Sequence, residues 1–251
     1  MTWILVAFCA VIGLVIGSFL NVVIWRVPRG ESLLRPRSHC PGCGTAIAPY
    51  DNVPVVSWLL LRGRCRHCRA AISARYPLVE ATTAILYALV VLAKDDAVEI
   101  ALGLLLVTAL VPITLIDLDL RLIPNRITLP AAVAALIAGV VFDVSFVPEQ
   151  LIAGAAAGGF FLLAALAYPR GMGMGDVKLA GMLGLYLGRA VAPAIFVALI
   201  AGVVVGGVIV ARVGARAGRR TAVPFGPFLA LGGLFGLFFG DAVMDAYLDR
   251  F

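Results

Sequence analysis

The chain has 251 residues, of which 62% are hydrophobic, and its mean hydropathy is +1.05. Soluble domains are about 45–50% apolar, so this composition excludes an ordinary soluble protein and indicates a polytopic membrane protein. The fold class predicted is all-α, because backbone in lipid must satisfy its own hydrogen bonds and the alternating pattern of a β-barrel is absent. Basic loops and anionic membrane lipid account for the net charge of +6, so no nucleic-acid partner is expected.

About eight transmembrane helices are predicted from the apolar runs. In chain order they cover Trp3–Ile24, Leu78–Leu92, Ala97–Leu115, Leu129–Phe146, Leu151–Ala167, Val177–Leu187, Ala192–Val210 and Pro224–Tyr247. The second and the sixth are short, which predicts helices that tilt or are partly buried in protein.

The distribution of basic residues predicts the orientation. Arg26 and Arg29 follow the first span and none precedes it, which disfavours a signal peptide and places the N-terminus outside. With eight spans, the C-terminus is also outside, and of the 20 Lys and Arg residues only Lys94, Arg189 and Arg250 fall outside. This bias supports the predicted number of spans.

The segment 26–77, on the predicted cytoplasmic side, carries two Cys-x-x-Cys pairs separated by 21 residues. The four thiols are those of Cys40, Cys43, Cys65 and Cys68, and this spacing predicts a Zn²⁺ site. Four sulfur ligands close the coordination shell, so the metal is expected to be structural and to stabilise a segment with little core.

Other interpretations of these cysteines are weaker. A disulfide framework is disfavoured in the reducing cytoplasm, and no βαβ pattern supports a redox pair. A Cys3His ligand set remains open because His39 and His67 adjoin the cysteines. Cys9 lies in the first span and is expected to be a core residue.

Two acidic residues, Asp117 and Asp176, stand beside apolar spans. Ionisable groups at membrane depth are costly and usually functional. Two spans separate them, so the chain returns to the same membrane face and both carboxyls are expected there. Two carboxyls brought close can share one proton, with one acting as acid and the other as base. This arrangement predicts an aspartyl protease.

The neighbouring acids leave alternatives open. Asp117 and Asp119 point about 200° apart on a helix, so only one of them can face Asp176, and spacing favours Asp117 slightly. Asp176 also suits a helix cap after the glycine run, and Lys178 could neutralise it. Glu80 either pairs with Arg75 at the membrane edge or belongs to a site.

Five ordered motifs give the chain a family resemblance over nearly its whole length. They are Gly17–Pro28, the cysteine tetrad with Asn52–Pro54 and Ser57–Leu59 between its pairs, Tyr76–Glu80, the Asp-x-Asp segment Asp117–Pro124, and Gly173–Lys178. Together they resemble the type IV prepilin leader peptidase and N-methyltransferase family, which is similar to the Gly-x-Gly-Asp membrane aspartyl proteases.

The resemblance implies a function. Asp117 and Asp176 would be the catalytic pair, and prepilins or pseudopilins with a short basic leader would be cut after a glycine on the cytoplasmic side. S-adenosyl-L-methionine would then methylate the new N-terminal residue, and the cysteine-bearing segment is associated with that step. Relatives without this segment only cleave. No nucleotide-binding loop in the sequence locates the methyl donor.

Three domains are predicted on this basis: 1–25 as the first transmembrane helix, 26–77 as the zinc-binding segment associated with methyl transfer, and 78–251 as a seven-helix peptidase domain in a bacterial inner membrane.

Two other classes of protein compete with the enzyme as interpretations of the sequence. An ion-coupled transporter is disfavoured because no inverted repeat is found and the acids lie near one face. A non-enzymatic assembly protein, with the zinc segment as a docking module, is the third class.

Overall fold

The computed structural model describes residues 2–168, 172–214 and 223–250. Four of the predicted cytoplasmic basic residues, Arg170, Arg216, Arg219 and Arg220, lie outside the described residues, as does Gly171 of the glycine run. Contacts divide the chain into two compact units, Met1–Ile100 and Ala101–Phe251, each considered by itself. The three predicted functional domains stay a prediction.

Two long helices form the frame of the first unit. Helix α1 (Thr2–Arg26) packs against α3 (Arg75–Ala93). A Cβ atom on Gly13 would lie 2.7 Å from the Cα of Ala84, and one on Gly17 would lie 2.7 Å from the Cα of Glu80. The partner numbers fall as the α1 numbers rise, so the helices are antiparallel. Small residues four apart allow this close approach, as in other membrane helix pairs.

The segment between these helices contains little regular structure. It has a 3₁₀ turn at Pro49–Asn52 and the five-residue helix α2 (Val56–Leu60). Two isolated antiparallel bridges join His39 to Ala46 and Arg64 to Ala71. One bridge therefore closes each of the two cysteine turns.

The second unit is a bundle of helices. Its elements are α4 (Ala97–Leu120, which begins in the last residues of the first unit), α5 (Asn125–Phe142), α6 (Val147–Ala167), α7 (Met174–Leu187), α8 (Val191–Val213), α9 (Gly226–Phe235) and α10 (Asp241–Leu248). Short 3₁₀ turns occupy Val144–Phe146 and Gly188–Ala190, and a π-helical turn at Gly236–Gly240 joins α9 to α10.

Glycines also permit close packing in the second unit. A Cβ atom on Gly154 of α6 would lie 2.8 Å from Leu185 of α7, and a Cβ on Gly184 would collide with the carbonyl of Ala153. The buried Gln150 ties α6 to both neighbours, because its amide donates to the carbonyls of Ala135 (3.1 Å) and Leu185 (2.8 Å). These contacts fix α7, whose N-terminus carries Asp176.

The predicted all-α membrane class is confirmed. Within the described residues, seven helical stretches are long and apolar enough to cross a membrane. The stretch Met174–Arg212 has 39 residues and contains both α7 and α8, which correspond to the sixth and seventh predicted spans. Helix α7 alone has 14 residues, or about 21 Å, less than the roughly 30 Å of hydrocarbon in a bilayer. The prediction that the second span is short was wrong, since α3, which corresponds to it, has 19 residues.

Candidate active site and metal centre

Asp117 is a buried carboxyl near the end of α4, with 5% of its surface exposed. The helix continues five residues beyond its predicted end at Leu115, so Asp117 lies inside it. Its Oδ2 accepts a hydrogen bond of 2.9 Å from the backbone N–H of Gly226, the first residue of α9. The first N–H groups of a helix lack intrahelical acceptors, and Asp117 supplies one.

Asp176 is the third residue of α7 and is half-buried. Its Oδ2 accepts a hydrogen bond of 3.2 Å from the backbone N–H of Gly173. Gly173 is the N-cap residue, so Asp176 caps the helix from its third position, as the acid of a capping box does. A Cβ atom on Gly175 would lie 2.9 Å from the Cβ of Ile123, so the start of α7 packs directly on the segment that follows α4. Capping and packing thus fix the Asp176 carboxyl beside the end of α4.

Asp117 and Asp176 line the same cavity, which has a volume of about 360 Å³. Asp119 is exposed and does not line this cavity. The structure therefore brings together the two acids that the sequence pairs, and separates Asp119 from them. The other lining residues are Arg121, Leu122, Ile123, Asn125, Gly173, Gly175, Lys178, Val223, Pro224 and Phe225.

Two cations share the cavity with the two acids. Arg121 follows α4 in a left-handed conformation (φ 53°). The ammonium of Lys178 donates a hydrogen bond of 3.0 Å to the side-chain oxygen of Asn125. Lys178 was expected to be able to neutralise Asp176, but in the structure its hydrogen-bond partner is Asn125. The cavity is a polar chamber in which both signs of charge are present.

Sequence reasoning missed Gly226. The only signal was Pro224-Phe225-Gly226-Pro227 at the start of the last predicted span, which places a helix start but assigns no role. A Cβ atom at Gly226 would lie 2.6 Å from the Oδ2 of Asp117, closer than real Cβ atoms approach an oxygen. Only glycine therefore leaves room for this carboxyl against the start of α9.

The four cysteine sulfurs of segment 26–77 converge on one point. All lie within 4.8 Å of one another, and the Sγ atoms of Cys40 and Cys68 are 3.7 Å apart. Tetrahedral zinc with Zn–S bonds of about 2.3 Å would separate its sulfurs by about 3.8 Å, so the arrangement fits such an ion. Within the described residues, neither His39 nor His67 belongs to this cluster, so the cysteines can hold a metal by themselves.

The two cysteine turns have the same backbone hydrogen bonds. The N–H of Gly44 donates to the carbonyl of Cys40 (2.8 Å), and that of Arg69 donates to Cys65 (3.1 Å). Gly44 has a φ of 68° and Arg69 a φ of 61°, so both turns need the left-handed region. Glycine adopts this region without strain, whereas in the second turn an arginine must accept the strain.

Hydrogen bonds favour the thiolate form at two of the cysteines. The side chain and then the backbone of Thr45 lower the pKa of the Cys43 thiol to about 6. Backbone hydrogen bonds from Cys68 and His67 lower the pKa of Cys65. Because the thiolate is the form that binds metal, these contacts suit metal ligation at Cys43 and Cys65. At Cys68 burial and the neighbouring thiols act in the opposite direction and raise the pKa to about 11.

Family comparison agrees with both sites. Residues 11–94 match the bacterial peptidase A24 N-terminal domain, and residues 104–211 match the type IV leader peptidase family. A prepilin leader peptidase/N-methyltransferase of Aeromonas salmonicida is 36% identical, over 98% of this chain and 95% of the relative. The chain belongs to the type IV leader peptidase family.

Two further relatives carry the same name and align over different shares of their length. A protein of the same name from Pseudomonas aeruginosa is 35% identical over 95% of this chain and 91% of the relative. One from Myxococcus xanthus is 40% identical over 72% of this chain and 55% of the relative. No solved structure matches the chain. The cysteine cluster lies within the first matched region, and both cavity aspartates lie within the second.

Proposed function

We propose that this chain is a membrane aspartyl endopeptidase that removes the leader peptide from type IV prepilins and pseudopilins, after a glycine, at the cytoplasmic face. The observation that carries the proposal is the shared cavity of Asp117 and Asp176. Relatives named prepilin leader peptidase/N-methyltransferase align over nearly the whole chain and support the same activity.

In the proposed mechanism, the two aspartates act as a pair. One is ionised and removes a proton from water, while the other is protonated and donates a hydrogen bond to the scissile carbonyl. Water adds to that carbonyl to give a gem-diol, and proton transfer to the amide nitrogen then breaks the C–N bond. The N–H groups of Gly226 and Gly173 each hold one carboxyl oxygen, so both carboxyls are oriented before substrate binds.

The second proposed activity is N-methylation of the new N-terminal residue. The methyl donor is S-adenosyl-L-methionine, whose methyl group passes from sulfur to the amine nitrogen as that nitrogen loses a proton. The names of the relatives include this activity, and the cysteine-bearing segment 26–77 is present in full. We assign this segment to the methylation half of the reaction.

The metal and the location complete the proposal. Cys40, Cys43, Cys65 and Cys68 hold one structural Zn²⁺ ion, which supplies stability to segment 26–77. The protein spans the bacterial inner membrane several times, with both termini outside and with the zinc segment and both aspartates at the cytoplasmic side. The excess of basic residues in the predicted cytoplasmic loops supports this orientation.

Removal of the metal is expected to unfold segment 26–77 and leave the membrane helices intact. Cys65→Ser should reduce bound zinc from about one ion per chain to a small fraction, since four thiolates supply the site. Metal analysis of purified protein and limited proteolysis within 26–77 measure the two effects. Cys9→Ser, a change in the buried Cys9 of α1, is the control and should keep its zinc. Full zinc content in Cys65→Ser would contradict the assignment.

The function is tested with purified wild-type protein, a prepilin and S-adenosyl-L-methionine, with intact mass as the readout. We expect loss of a leader-sized peptide and then the mass increase of one methyl group. Omission of the donor should leave cleavage and abolish the second change. A prepilin that stays full-length with well-folded enzyme would overturn the proposed peptidase, and cleavage without methylation would overturn the second half.

A further inference from the structure

The loop between the two cysteine pairs contains a strained turn. Val55 has φ 60° and ψ −51°, and the N–H of Val56 donates to the carbonyl of Pro54 at 2.6 Å. These values describe a γ-turn of positive φ, which is rare and strained. A β-branched residue in this region of φ is a genuine outlier. Such a conformation persists only where surrounding contacts hold it.

The contact that holds this turn comes from a membrane helix. The backbone N–H of Val55 donates a hydrogen bond of 2.7 Å to the Oε2 of Glu80, which lies in the second turn of α3. Glu80 is 7% exposed, and its backbone packs against α1, since a Cβ atom on Gly17 would lie 2.7 Å from the Glu80 Cα. A buried carboxyl at the contact of the two helices thus binds the loop, across 25 residues of sequence.

Further contacts connect the Val55 turn with the cysteine cluster. The hydroxyl of Ser57 donates to the carbonyl of Tyr50 (2.9 Å) and accepts from the N–H of Val53 (3.1 Å), which closes the loop on itself. The carboxylate of Asp51 in this loop pairs with the guanidinium of Arg66 at 2.6 Å. Arg66 lies between Cys65 and Cys68, so the loop contacts the second cysteine turn.

We infer that Glu80 is a positioning residue for N-methylation. By its hydrogen bond to Val55, it holds the Val55 turn and the cysteine cluster in a fixed place on the α1–α3 helix pair. A metal can fix the two cysteine turns relative to one another, but it gives no contact with the membrane helices. Glu80 supplies that contact from α3. The inference rests on the proposed function, because it assigns segment 26–77 to methyl transfer.

Two substitutions separate the reach of the side chain from its charge. Glu80→Gln keeps an oxygen at the same distance from the Val55 N–H but removes the charge. Glu80→Asp keeps the charge but withdraws the carboxylate by one methylene. Because Glu80→Asp leaves the half-buried Val55 N–H without its acceptor, we expect it to lower the kcat of methylation by about tenfold, and Glu80→Gln to stay within about twofold of wild type.

The assay uses the full chain in proteoliposomes with a prepilin and S-adenosyl-L-methionine. Intact mass separates uncleaved, cleaved and methylated substrate in one spectrum, and cleavage should be unchanged in both variants. Hydrogen exchange of the peptide that contains Val55 should become faster in Glu80→Asp only. Glu99→Asp is the control. Glu99 is an exposed acid of the same unit, and its carboxylate pairs with Lys94 at 3.4 Å.

The outcomes distinguish this inference from the proposed function. Wild type that cleaves without methylating would overturn the methylation half of the function and the inference with it. Wild type and Glu80→Asp that methylate equally would overturn the inference alone. Loss of methylation in Glu80→Gln with activity in Glu80→Asp would also overturn it, since charge and not reach would then matter.

Discussion

Replacement of either cavity aspartate by asparagine is expected to abolish leader cleavage, whereas the same change at Asp119 should preserve it. Asparagine has the same shape and size but cannot transfer a proton, so Asp117→Asn and Asp176→Asn each remove one half of the acid–base pair. General acid–base catalysis contributes roughly 10²–10⁴-fold, and loss of either partner disables both steps. Intact-mass analysis of a prepilin after incubation with each purified variant gives the rate.

Asp119→Asn is the matched control because it stands two residues from Asp117 on the same helix but is exposed and outside the cavity. Addition of already cleaved pilin to Asp117→Asn and Asp176→Asn should still give methylated product, which shows that the variants are folded. Equal cleavage by all three variants and wild type would remove the aspartyl mechanism. Loss of cleavage in Asp119→Asn alone would move the catalytic role to that residue.

The membrane helices could be predicted from the sequence because each one is a continuous apolar run. Within the residues that the structure describes, eight such helical segments lie where the runs predict them, with shifts at their ends. The main error concerned α4, which continues to Leu120 although its hydropathy ends near Leu115. The last turn carries two acids, and contact with α9 at Gly226 holds one of them within the helix.

The pair of Asp117 and Asp176 could also be predicted, since an even number of intervening spans returns the chain to one face. Helical geometry requires that Asp117 and Asp119 point in different directions, but it does not determine which of them faces Asp176. That choice depends on how α4 is rotated in the bundle. Packing of Gly175 against Ile123 brings α7 to the end of α4, and this contact is visible only in the structure.

Contacts between distant residues were outside the reach of sequence reasoning. The cysteine spacing predicts a metal site because four local ligands define it. The hydrogen bond from Val55 to Glu80 has no local pattern, since a valine gives no sign of a γ-turn of positive φ. The contact of Gly226 with Asp117 spans 109 residues. Each depends on a backbone N–H, which every residue except proline carries.

A single methyl group at Gly226 is expected to reduce cleavage strongly. In Gly226→Ala the new Cβ atom would stand 2.6 Å from the Oδ2 of Asp117, so the carboxyl or the start of α9 must move. Overpacking of this kind costs about 1–3 kcal/mol, and a displacement of about 1 Å at a catalytic group can lower the rate by about 10²-fold. We expect a loss of that size in the kcat of leader cleavage.

Two other glycines separate the effect on the carboxyl from effects on packing. Gly206→Ala in α8 adds a methyl group with nothing within 4 Å and should leave cleavage unchanged. Gly232 lies in α9, as Gly226 does, and a Cβ atom there would crowd the carbonyl of Ala194 in α8. Gly232→Ala therefore disturbs the contact between α8 and α9 without touching Asp117. It should lower the thermal stability more than the activity. A Gly226→Ala enzyme with wild-type kcat would show that the hydrogen bond to Asp117 tolerates movement, and that α9 has no part in orienting the catalytic carboxyl.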